Sequence, residues 1–228
     1  MRNRYLVGAA LIAIVACSGD TTNPSCCVDP ATSLRVVNAY VTPVDVLVDG
    51  KVMIAGLAAG AVGTAAPTTG GHTVEFRSTT GAGSSTQTVT TATGAVNTIA
   101  VLRASSGVVA TTVLDDTNSV VPANATKLRV LHMAANGGTL QVFRTQPDYA
   151  TPIAWQFPFT YQSAPNSLSA PFYQSTVGTW EVRIWQSPTG ASRWEGAPIK
   201  LVIPLTGGEK RTVIILDNPS GGVKAQIL

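Results

Sequence analysis

The sequence predicts an all-β protein built as two tandem immunoglobulin-like β-sandwich domains, and three observations carry that expectation. The composition is the first. Of 228 residues, 12% are charged and 45% hydrophobic, and the chain holds 29 threonines, 21 glycines and 14 prolines. Charge at about half the usual share, with ample Val, Ile and Leu to bury, excludes a wholly disordered chain. β-branched residues and turn formers disfavour helices and suit short strands. The second observation is a two-residue alternation of apolar and polar side chains. The third is an internal repeat.

The repeat is counted in four matched blocks. Leu34–Ala39 matches Leu128–Met133 at an offset of 94, and Gly70–Phe76 matches Gly178–Ile184 at 108. Gly94–Leu102 matches Gly208–Leu216, and Val109–Leu114 matches Val223–Leu228, both at 114. Four matches in one order imply two copies of one domain, with 14 extra residues between the first two blocks of the second copy and six more before the third. The lengths expected are 34–116 for the first sandwich, 117–127 for a linker and 128–228 for the second sandwich.

Each matched block reads as a strand. His72, Val74 and Phe76 alternate with Thr73, Glu75 and Arg77, as Trp180, Val182 and Ile184 do with Glu181, Arg183 and Trp185. That is the period of a half-buried strand. Val44–Val48 and Lys51–Ile54 flank Asp49-Gly50, a dipeptide that favours a two-residue hairpin turn. Turn signals every 8 to 12 residues give seven or so strands per copy.

The N-terminus speaks to location. Met1–Arg4 is a short basic region and Tyr5–Ala16 a 12-residue apolar one, long enough for an export signal and too short to span a membrane. It ends in Ile14-Val15-Ala16-Cys17, which resembles the lipobox of bacterial lipoproteins. That resemblance implies a signal peptide over 1–16, diacylglycerol on Cys17 and, with Ser18 rather than Asp following, the outer membrane of a diderm envelope. Residues 17–33 are polar and proline-broken and read as a flexible tether. Cys26 and Cys27 within it are candidates for a disulfide outside the cytoplasm, either through a strained ring with each other or to another chain. No further ligands lie near them in sequence, so no metal site is expected.

Beyond the tether, the Arg-Val-rich first strand, the Val44–Gly50 hairpin, the Gly-x-[His/Trp]-x-Val strand and the closing Thr-[Ile/Val]-rich strands resemble the bacterial family catalogued as domain of unknown function 4397. The resemblance covers about 34–228 and is closer in the first copy. It implies tandem β-sandwich domains on exported or lipid-anchored proteins, and no activity or catalytic residue.

The residues themselves offer little chemistry. The net charge of +3 falls to 13 basic against 12 acidic residues once Arg2 and Arg4 are removed with the signal, and no basic run remains, so nucleic acid is not an expected partner. No Gly-x-Ser-x-Gly pentapeptide is present, and the glycine-rich stretches Gly56–Gly63 and Gly81–Gly83 lack the Lys-Ser/Thr of a phosphate loop. Asp115-Asp116 lacks the spacing of a calcium loop. No catalytic residue and no cofactor are expected. Eleven of the 14 aromatic residues fall in the second copy. Trp155, Phe157, Phe159 and Tyr161 alternate there, with Trp194 in the smaller insertion, and they form either core or a surface platform for an envelope polysaccharide or partner protein. The reading is a lipid-anchored envelope protein with a non-catalytic binding, adhesion or scaffolding role; the alternative is an envelope hydrolase whose site assembles from scattered residues.

Overall fold

The computed structural model describes residues 32–81, 83–103, 109–114, 121–145, 153–159, 172–187 and 197–228. Every regular element among them is a strand. The first half comprises β1 (Ser33–Asn38), β2 (Val44–Val48), β3 (Lys51–Leu57), β4 (Val62–Ala65), β5 (Gly70–Ser78), β6 (Ser84–Thr91), β7 (Val96–Arg103) and β8 (Val109–Leu114). The second comprises β9 (Ala125–His132), β10 (Thr139–Thr145), β11 (Ile153–Phe159), β12 (Tyr173–Thr176), β13 (Gly178–Ser187), β14 (Ile199–Leu205), β15 (Lys210–Asp217) and β16 (Val223–Ile227).

The first half forms two four-stranded sheets, ordered β4-β1-β7-β8 and β3-β2-β5-β6; the second forms β12-β9-β15-β16 and β11-β10-β13-β14. Adding eight to each strand number of the first half reproduces the second. Pairing is antiparallel except for β1 with β7 and β9 with β15, which run parallel. Among the described residues each half thus has eight strands in a four-plus-four arrangement, against seven in the immunoglobulin constant-type plan. β1 starts at Ser33, and buried Thr32 hydrogen-bonds the Pro67 carbonyl, so the fold begins inside the stretch read as tether. β9 likewise starts at Ala125, inside the expected linker.

Within each half the two sheets face each other across an apolar core. Leu34, Val36, Ile99 and Val101 from one sheet meet Val44, Val46, Val74 and Phe76 from the other. In the second half Leu128, Val130, Val213 and Ile215 meet Leu140, Val142, Val182 and Ile184. The alternation explains the sets: along β5, His72, Val74 and Phe76 are buried while Thr73 and Arg77 are exposed. At the β2–β3 turn Asp49 and Gly50 have φ of 49° and 79°, the doubly left-handed backbone of a type I′ turn, which Asp-Gly tolerates and whose twist matches the strands.

The outward faces of β1, β7, β9 and β15 are apolar too. Val37, Ala39, Ala100 and Leu102 pack against Leu131, Met133, Ile214 and Leu216, all 5% exposed or less. The two halves therefore stand back to back, and four sheets stack with a seam in the middle. At one end of the seam Gly60 admits Lys224: a Cβ on Gly60 would lie 2.7 Å from the Lys224 ammonium.

The extra length of the second half sits in three connections. Residues 146–152 replace the two-residue turn 49–50, 160–172 replace 58–61, and 188–198 replace 79–83.

Candidate functional site

Of the residues singled out by sequence, Cys17, Cys26, Cys27, Tyr161 and Trp194 lie outside the described residues. Trp155, Phe157 and Phe159 all fall on β11, the edge strand beside β10. Two register shifts interrupt the β10–β11 ladder, between Leu140 and Val142 and between Val142 and Phe143. Strict two-residue alternation therefore does not run the length of the strand. Other aromatics of the second half pack within it. Phe143 and Trp185 meet edge to face at 5.1 Å, and the Arg144 guanidinium lies 4.7 Å from the Trp180 ring centre.

Both histidines are committed to internal hydrogen bonds, and their pKa values are shifted in opposite directions. His72 Nε2 donates to the Thr68 carbonyl at 2.8 Å, and Nδ1 faces Asp49 Oδ2 at 2.7 Å. Two acceptors call for two N–H groups, so the pair favours the imidazolium; the Asp49 carboxylate first and the Thr68 carbonyl second raise the His72 pKa, and His72 in turn lowers that of Asp49. His132 is fully buried. Its Nε2 donates to the Gly138 carbonyl at 2.9 Å and its Nδ1 accepts from the Ala134 amide at 3.3 Å, the pattern of the neutral ring. Burial lowers its pKa.

The seam supplies a site that the sequence alone does not reveal. The outward side of β1 and the residue after it reads Arg35, Val37, Ala39, and that of β9 and the residue after it reads Arg129, Leu131, Met133. Each face is polar at the start of its strand and apolar beyond, so stacking the faces leaves an unfilled, cationic end. There Arg35, Val96, Phe172, Lys210, Arg211 and Leu228 line a cleft of about 230 Å³. Arg129 forms its inner support: Nε donates to Thr212 Oγ1 at 2.9 Å, and the guanidinium lies 4.2 Å from the Phe172 ring centre. The Lys210 ammonium is 5.9 Å from the same ring. Arg211 pairs with Glu209 at 3.0 Å, and Glu209 is held below its usual carboxylate range chiefly by the Thr206 amide. The signal available in sequence was the Leu-Arg-Val triplet at 34 and 128, which sets an Arg at the same outward position twice. Which surface those arginines meet is a tertiary fact.

The first half has a known counterpart. A domain of unknown function, DUF4397, is found at residues 32–143. The DUF4397 match opens one residue before β1 and closes in β10, so it takes in the whole first half, β9 and most of β10. No curated protein matches the chain.

Proposed function

We propose that the protein is a lipid-anchored cell-envelope module, held at the outer membrane through Cys17, that binds an envelope polysaccharide or a partner protein and catalyses no reaction. In this reading residues 125–228 are a second, diverged copy of the DUF4397 domain, supported by the repeated strand order and the four sequence matches. The observation that carries the anchoring is the run from the basic Met1–Arg4 through an apolar stretch to Ile14-Val15-Ala16-Cys17, sixteen residues ahead of the first strand. The non-catalytic reading draws support from the histidines. With both ring nitrogens of His72 and of His132 engaged by the fold, neither is poised to take a proton from a substrate.

The test is metabolic labelling with a fatty-acid analogue followed by envelope fractionation. Wild type is expected to carry label and to sediment with the outer membrane, whereas Cys17→Ala loses the label and accumulates unprocessed. Equal labelling of both would overturn the anchor. The binding role is tested by capture from native envelope with wild type and with Trp155→Ala/Phe159→Ala; an identical captured set would remove β11 from the binding surface.

A further inference from the structure

The cleft at the end of the seam has a chemistry of its own. Three cations, Arg35, Lys210 and Arg211, line it, Arg129 supports it from behind Phe172, and Glu209 pairs with Arg211. Arg35 is half-buried and takes part in no ion pair with a described residue. A guanidinium on the wall of a cleft offers a planar fork of donors matched to a carboxylate, and low-dielectric walls strengthen that attraction. The remaining wall is apolar, from Val96, Phe172 and Leu228. The volume of about 230 Å³ is smaller than the roughly 300–1,000 Å³ of sites for drug-sized ligands, so the space suits a single ring with one acidic group.

Position narrows the ligand further. Arg35 is the third residue of β1, so the cleft lies at the end of the fold where β1 begins. On the envelope reading above, β1 is the strand nearest the anchored Cys17 along the chain, so the cleft stays within reach of envelope polysaccharides.

We propose that the cleft binds one carboxylated sugar residue of an acidic polysaccharide, the carboxylate taken by Arg35 and Arg211 and the C–H face of the ring laid on the apolar wall. This deepens the binding role, yet it uses a site separate from β11, so the two stand or fall by different experiments. Titration calorimetry on the full-length chain in detergent, with tri-galacturonate, its neutral galactose counterpart and inorganic phosphate, reads the cleft directly. The uronate is expected to bind, more weakly as ionic strength rises, and the neutral oligomer not to bind. Arg35→Gln is expected to weaken uronate binding roughly tenfold or more with an unchanged melting temperature, and Arg211→Gln to do the same to a smaller degree because Glu209 already shares it. No uronate binding, equal binding of the neutral oligomer, phosphate binding as tight as uronate, or an undiminished affinity in a folded Arg35→Gln would each overturn the proposal.

Discussion

At His72 the imidazole bridges the β2–β3 turn to β5 and the turn before it, because Asp49 also accepts the Thr73 amide at 2.9 Å. The clasp ties a turn, a strand end and a loop through one side chain, and its strength follows protonation. A histidine whose folded pKa is raised contributes stability in full below its ordinary value near 6.5 and loses it as pH climbs through the raised value. Asp49, lowered, contributes above its ordinary value of 3.8 and loses that contribution on acidification through the lower one. The clasp is therefore strongest between those two limits. His72→Gln is expected to be less stable than wild type at pH 5.5, with the gap narrowing by pH 9; urea melts at both values measure it, and a gap independent of pH would sink the assignment. His132, buried and neutral, opposes acid in both proteins and cancels in the difference. Parity in the sequence placed His72 on the inner face of its strand, and that much was legible. Its partner was not, since Asp49 lies 23 residues away and only the antiparallel pairing of β2 with β5 brings it close.

β5 and β13 occupy the same place in their sheets and carry similar ion pairs on the face turned from the core, but their surroundings differ. Glu75 and Arg77 lie 3.5 Å apart with side chains 34% and 51% exposed. Glu181 and Arg183 are paired with side chains 3% and 9% exposed. An exposed pair of this kind is worth about 0–1 kcal/mol, whereas removing one partner of a buried pair strands the other charge and costs about 3–5 kcal/mol. Glu181→Ala is thus expected to lower unfolding free energy several-fold more than Glu75→Ala, in matched guanidinium titrations. Equal effects would mean that the second pair is solvated. Strand existence was legible at this scale because the alternation and the Asp-Gly turn agreed. Burial of the outward face of β13 was not, because Glu181 and Arg183 follow the polar half of the alternation and nothing in the strand itself announces a cover.

Across the whole molecule, the seam is the feature that joins the halves. Leu102 and Ile214 are both fully buried in it, although each points away from the core of its own sandwich. Leu102→Ala and Ile214→Ala are each expected to cost about 2–5 kcal/mol. Because the two side chains belong to one packed cluster, the double variant should depart from additivity by about 0.5 kcal/mol or more, and strict additivity in a double-mutant cycle would show that the halves are energetically separate. The repeat made the matching strand order of the two halves legible. It could not show that they meet, since alternation tells which side chains leave their own core and is silent on what receives them. The one hint lay in Val37, Leu102, Leu131 and Ile214, apolar residues on the polar half of the pattern.

The back-to-back seam also sets how such a fold can grow. In a solenoid every unit offers one sticky face to the next and another to the last, so the array extends indefinitely. Here the sticky face of each unit is its β1–β7 or β9–β15 side, and the two faces consume each other. The opposite surface of the first half presents Thr73, Glu75 and Arg77 to water. A third unit fused to that side would meet charge instead of Val, Leu and Ile, and would hang as a bead on a string. Pairing in this fold thus closes at two units, because each apolar side is taken up by the other.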